Sequence, residues 1–182
     1  MIRQLPARQS ILSEGDMIRA LPFVLDGLLK VSRNEEDKEI LLYYIKPGES
    51  CVMSFSACIS HRKSEIKAVT ETETELLLIP SYLIEEMVKK HFFLNQYFHD
   101  LYNRRYLDLL DTVDDLIFRK MDERILHYLE ERTIHFDTRH LKLTHAEIAH
   151  DLGSAREVVS RVLKKLEKDG KLKITRNEII LL

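Results

Sequence analysis

The chain is poor in cysteine, glycine and proline, with two, five and four of them in 182 residues, and it has no tryptophan. Two cysteines, Cys51 and Cys58, are too few for a disulfide framework. In a reducing compartment they are expected to be thiols. No four-ligand cluster suits structural zinc or an iron–sulfur centre. No apolar run approaches the ~18–20 residues that span a bilayer. The opening stretch, MIRQLPARQSILSEGD, lacks the apolar core of a secretory signal. The expectation is a cytoplasmic protein with no membrane partner. Between residues 81 and 133 glycine and proline are absent altogether, and this stretch reads as helix.

Charge is present in both signs, and its distribution matters more than its sum. The net charge is −2. Residues 139–176 hold ten Lys and Arg against five Asp and Glu, which leaves 18 basic against 25 acidic residues elsewhere. A nucleic-acid surface needs local positive charge rather than a basic chain. A solvated face carries the same balance, so charge alone does not decide.

Three zones follow one another. Residues 1 to about 80 contain short apolar or β-branched runs, among them Ser10–Leu12, Pro22–Leu25, Leu28–Val31, Ile40–Ile45, Ile66–Val69 and Glu75–Ile79. Turn signals separate them at Glu14-Gly15-Asp16, Asp26-Gly27, Asn34–Asp37 and Lys46–Glu49. Many closely spaced short strands suggest a barrel or jelly roll. Ser81 is expected to cap a first short helix. A long helix is expected over about Phe92–Leu116, with apolar positions Leu94, Phe98, Tyr102, Tyr106, Leu109, Val113 and Leu116. From Tyr102 their spacing alternates 4 and 3, as in a coiled-coil seam, and this predicts a homodimer helix. An amphipathic helix packed on its own domain gives the same pattern. A further helix is expected over about Met121–Arg132.

The third zone carries the chemistry. Thr144 with Glu147 forms a capping box and starts a helix whose apolar face is Ile148, Ala149 and Leu152. Gly153 breaks it and permits the tight turn of a helix-turn-helix. A second helix, about Ala155–Lys168, buries Val158, Val159, Val162, Leu163 and Leu166 and ends at Gly170. Arg156, Glu157, Ser160 and Arg161 share its other face. Such residues can read base edges in double-stranded DNA: Arg pairs bidentately with guanine, and Glu accepts from the cytosine amino group. Thr144, Ser154, Lys164 and Lys165 are candidates for phosphates. A hairpin of Lys171–Ile174, a turn at Thr175–Asn177 and Glu178–Leu182 is expected to form a wing, with Lys173 and Arg176 toward the backbone.

These motifs resemble the Crp/Fnr family, the cyclic-AMP receptor protein and the fumarate and nitrate reduction regulator. Leu143-Thr144, Glu147-Ile-Ala149, Leu152-Gly153, Arg156-Glu157, Val159, Arg161, Leu163, Leu166-Glu167 and Gly170 match its helix-turn-helix signature. Ile11–Gly15, Phe23–Val31 and Pro47-Gly48-Glu49 are similar to its barrel strands. The resemblance spans nearly the whole chain. It implies an α+β fold: an N-terminal β jelly roll of the cyclic-nucleotide-binding type over 1–90, a long dimerisation helix over 91–118 and a C-terminal winged helix-turn-helix over 119–182. It also implies that Glu157 and Arg161 read a TGA-containing half-site and that RNA polymerase is a partner. Arg156 resembles one branch and Ser160 the other, and Val158 replaces a family threonine. The leading helix of relatives is not matched.

Cyclic-AMP binders in that family use Gly-Glu-Leu-(Gly/Ala) and Arg-(Ser/Thr) stretches to hold ribose and phosphate. Here they read Gly48-Glu49-Ser50-Cys51 and Arg62-Lys63-Ser64. Glu49, Ser50, Cys51, Arg62, Lys63 and Ser64 are therefore candidate effector-pocket residues. Cys51 and Lys63 depart from the cyclic-AMP pattern, so cyclic AMP fits poorly. Heme, ligated by Cys51, Cys58 or His61, or another small-molecule effector stays open, and the cofactor is unassigned. An alternative is a ligand-binding module whose C-terminal helices contact protein. A cupin-type enzyme needs a His-x-His…Glu metal set, and the barrel zone has only His61. The chain is expected not to be an enzyme.

Overall fold

The computed structural model describes residues 1–35, 38–117, 119–175 and 178–182, with side chains excepted at 35, 38 and 115–117. The turns expected at Asn34–Asp37 and Thr175–Asn177 fall partly outside these residues. The described residues form β1 (Ile2–Leu5), β2 (Ser10–Leu12), β3 (Ala20–Asp26), β4 (Leu29–Glu35), β5 (Lys38–Ile45), α1 (Val52–Ser60), β6 (Lys67–Thr70) and β7 (Thr74–Pro80). Then come α2 (Ser81–Lys90), α3 (Phe92–Ile117), α4 (Met121–Phe136), β8 (His140–Leu141), α5 (His145–Asp151), α6 (Arg156–Lys168), β9 (Leu172–Ile174) and β10 (Ile179–Leu181). The chain separates into two compact units. One is Met1–Asn34 with Leu41–Leu110. The other is Glu35–Ile40 with Asp111–Leu182.

In the first unit, two antiparallel sheets, β1-β7-β3 and β2-β6-β4-β5, make a jelly-roll arrangement. Alternation explains them. Along β6, Ala68 and Thr70 are buried while Lys67 and Val69 are half-buried. Val24, Leu29, Val31, Ile45, Cys51, Ile66, Ala68 and Leu76 form one core cluster. The turn between β3 and β4 needs glycine. Gly27 has φ +87°, and a Cβ there would stand 2.3 Å from the Glu73 carbonyl oxygen.

A second cluster holds α1, α2 and the start of α3 against this sheet: Leu21, Val52, Cys58, Ile84, Leu94, Phe98 and Leu101. Phe55 stacks on Phe98 with ring centroids 3.6 Å apart. Leu94 and Phe98 were expected on a dimer seam. Instead both are buried in this unit's own core, because the first turns of α3 lie on the hydrophobic face that α1 and β3 present. Ser81 is also corrected as a cap. It is the first residue of α2, Pro80 precedes it in extended conformation, and no side chain caps the helix.

In the second unit, α4, α5 and α6 pack around Ile125, Leu129, Ile148, Ala149, Val159, Leu163 and Leu166. The three-stranded sheet β8-β10-β9 closes the far side through Leu141, Leu172 and Ile179. The hairpin expected from sequence is β9 and β10, and β8 adds a third strand along β10. No described helix is long and apolar enough to cross a membrane.

Candidate nucleic-acid interface

The turn between α5 and α6 sets the geometry. Thr144 caps α5: its hydroxyl accepts from the Glu147 amide at 3.1 Å, and the Glu147 carboxylate accepts from the Thr144 amide at 2.8 Å. The Thr144 hydroxyl proton is not used in this box. Gly153 then adopts φ +59°, a left-handed conformation that reverses the chain within a few residues. The Ser154 amide donates back to the Ala149 carbonyl at 2.8 Å, so the turn is hydrogen-bonded to the helix it leaves.

Along α6, Val159, Leu163 and Leu166 are buried and anchor the helix. Arg156, Glu157, Arg161 and Lys164 are exposed on the opposite side. Arg156, Ser160 and Lys164 form one row at i, i+4 spacing; Glu157 and Arg161 form the next. A strip of this kind presents two guanidinium forks, one carboxylate and one hydroxyl to a groove. Ser160 is half-buried and hydrogen-bonded to His145 Nδ1 at 2.8 Å. His145 stands at the start of α5 and was not singled out from sequence. A contact across fifteen residues and two helices leaves no periodic trace.

The flanking cations differ in their freedom. Lys165 Nζ bonds Asp122 Oδ2 on α4 at 2.5 Å. This holds the lysine charge on and draws the Asp122 carboxyl below its ordinary value. Lys165 thus ties α6 to α4 in this structure. Lys173 is exposed on β9, Ser154 is half-buried, and Arg176 lies outside the described residues.

The expected effector residues lie in the first unit, and Glu49, Ser50, Cys51 and Ser64 are bonded to groups outside the expected set. Glu49 pairs with Arg105 and, at 3.4 Å, with Arg104 of α3. It also accepts from the Lys46 amide at 3.2 Å. The Arg105 guanidinium lies 4.6 Å from the Tyr43 ring centroid and bonds Asp108 at 2.7 Å. Ser50 donates to the Pro22 carbonyl, and Ser64 to that of Ile66. Cys51 caps α1, accepting from the Ser54 amide at 3.4 Å, and lies 3.8 Å from the Tyr43 hydroxyl. Arg62 and Lys63 are exposed after the end of α1. Burial, with Glu85 and Cys51 nearby, pushes the Cys58 thiol up to about 11, which disfavours the thiolate that a redox nucleophile needs.

A further group of donors was not anticipated. Glu39, His150 and Asp151 each bring one atom within 4.8 Å of the others. Asp151 already accepts from the Tyr128 hydroxyl at 2.8 Å and lies 3.8 Å from the buried Arg132 guanidinium. A cation is thus in place beside it, which opposes a second one. The arrangement works as an ion-pair network rather than a metal cage.

Residues 2–91 match the cyclic nucleotide-binding domain family, and residues 123–182 match the Crp-like helix-turn-helix domain. The chain belongs to the Crp/Fnr family of transcription regulators. This Crp/Fnr chain is 28% identical over 184 residues to the global nitrogen regulator of Synechocystis, covering 94% of this chain and 80% of that one. It is 26% identical over 192 residues to the CRP-like protein Clp of Xanthomonas campestris, covering 98% and 83%. A solved Crp/Fnr-family regulator from Eubacterium rectale superposes with a TM-score of 0.89 at 27% identity, covering 100% of this chain and 85% of that one. The Crp/Fnr assignment bears out the α+β fold and the regulator function expected from sequence, and it places the chain among DNA-binding regulators, not enzymes.

Proposed function

We propose that the protein is a homodimeric regulator that reads a palindromic operator through α6 and acts on RNA polymerase under control of a signal received in the jelly roll. The observation that carries this reading is the exposed face of Arg156, Glu157 and Arg161, in two adjacent rows, on a helix anchored by Val159, Leu163 and Leu166. Arg156, Glu157, Ser160 and Arg161 contact bases. Thr144, Ser154, Lys164 and Lys173 hold phosphates, with Arg176 beside them on the wing. Lys165 joins them only by releasing Asp122. Half-site centres then lie about 34 Å apart.

The test is selection of bound sequences from a random DNA pool by the purified protein. Enrichment of a palindrome with TGA-type half-sites is expected. Its affinity should fall steeply with salt, with a log–log slope of roughly −0.9 per phosphate neutralised. Weak, salt-insensitive binding with no enrichment would assign the C-terminal helices to protein contacts instead. Glu49 is held by two arginines, and a ligand of the cyclic-nucleotide kind must displace that pairing to use it.

The dimer interface is the second half of α3. Tyr106 and Leu109 are 61% and 50% exposed, with Leu107, Leu110 and Val113 beside them. Such a contiguous apolar strip on a helix is a partner surface. The side chain of Leu116 lies outside the described residues. Tyr102 is partly engaged on its own unit, its hydroxyl donating to the Val52 carbonyl at 3.2 Å. Leu109→Arg together with Val113→Arg should convert the dimer to a 21.5 kDa monomer in sedimentation velocity. A double variant that still sediments at twice that mass overturns the seam.

A further inference from the structure

We propose that His145 sets the direction of the Ser160 hydroxyl and so makes the base preferred at that position depend on pH. The inference rests on the reading of α6 as the DNA-reading helix. His145 Nδ1 and Ser160 Oγ are 2.8 Å apart, and Ser160 sits between Arg156 and Lys164 in the groove-facing row. With the neutral Nε2–H tautomer, Nδ1 is an acceptor. The serine hydroxyl must then donate to it, and its lone pairs are left for a base amino group. In the imidazolium, both ring nitrogens donate. Ser160 then accepts from Nδ1, and its own proton turns toward the groove, where guanine or thymine oxygens accept it.

The surroundings place this switch in an accessible range. The charged groups acting on the ring are Arg156 and Lys164 on α6. On its own helix, Glu147 is turned back to the Thr144 amide. Burial, then these two cations, holds the imidazole below its ordinary value, so the free protein carries it neutral at neutral pH. Phosphates approaching Arg156 and Lys164 reverse that electrostatic term. DNA binding therefore takes up a proton at His145, and the bound state protonates at higher pH than the free one.

The experiment is fluorescence anisotropy of the full-length protein on the selected operator and on its variants at the base pair facing Ser160, at about pH 6 and about pH 8 and constant ionic strength. The ratio of affinities for donor-presenting over acceptor-presenting bases should rise roughly three- to tenfold from the lower to the higher pH, the span of one hydrogen bond. His145→Ala and Ser160→Ala should flatten that dependence. His145→Arg, permanently charged, should hold the acid preference throughout. Specific binding with a pH-independent ratio, or a dependence that survives Ser160→Ala, overturns the switch but leaves α6 as the reading helix. Absence of specific binding at either pH overturns both. A nitrogen-15 spectrum of the free protein decides separately: an Nδ1–H tautomer at about pH 8 refutes the mechanism, because Ser160 would then accept in both states.

Discussion

Arg161→Ala should sharply reduce discrimination between the operator and random DNA while leaving the fold intact. Arg161 is exposed, so its truncation opens no cavity. A guanidinium that pairs bidentately with guanine contributes about 1–3 kcal/mol of base discrimination. A dimer presents it twice, so the loss is roughly 2–6 kcal/mol, between about thirtyfold and more than ten-thousandfold in affinity. Glu157 lies one turn earlier on the same strip, at the i, i+4 spacing that supports an acid before a base. Its removal should relax preference at a neighbouring base pair. Lys164→Ala is the contrasting case: it should weaken all sequences alike and reduce the salt slope by about one unit per half-site. Competition titrations of both variants against operator and random duplex separate the two roles. An Arg161→Ala protein with wild-type discrimination refutes the base-reading assignment.

What could be read ahead of the structure was what is local. The Thr144–Glu147 capping box, the left-handed Gly153 and the apolar positions of α6 lie within a few residues of each other, so their periodicity carried the helix-turn-helix directly. The seam on α3 was half legible. Leu94 and Phe98 precede the alternation that starts at Tyr102 but lie on the same apolar side by four-residue steps, and they are core whereas Tyr106 and Leu109 are exposed. A helix laid on its own barrel and a helix laid on a partner have the same repeat, and only the extent of the barrel decides where one gives way to the other. The short helix α1 escaped notice because its cap is the thiol of Cys51, a weak acceptor outside the usual capping set. Strand β1 was missed because its partner β7 is about seventy residues away, and β8 because it is two residues long. The pairing of Glu49 with Arg104 and Arg105 joins residues more than fifty positions apart, so the pocket residues named from the family motif came without their actual partners.

The largest expected effect on stability lies beneath the reading helix, in the group of Tyr128, Arg132 and Asp151. Arg132 is buried, with its guanidinium 4.9 Å from the Phe136 ring centroid. Its Nη1 donates to the Tyr128 hydroxyl at 3.2 Å, and that hydroxyl donates to Asp151 Oδ2 at 2.8 Å. The carboxylate is 3.8 Å from the same guanidinium, so hydroxyl and charge close a triangle between α4 and α5. Asp151→Ala removes the carboxylate beside a buried cation, and breaking a buried ion pair from one side costs about 3–5 kcal/mol. For a unit this small, that is a large part of its total stability. Asp151→Asn should cost less, since its carbonyl still accepts from Tyr128. Removing both charges, as in Arg132→Met with Asp151→Leu, should recover much of the loss, because the desolvation penalty disappears with the ion pair. Urea denaturation of the three variants, with hydrogen exchange of the α4 to α6 amides, reads each outcome. If the double variant falls as far as Asp151→Ala, the triangle is not what holds α5 on α4. Recovery in the double variant would mean that the cation alone makes the acid necessary, and operator affinity should return with stability because α6 takes its position from α5.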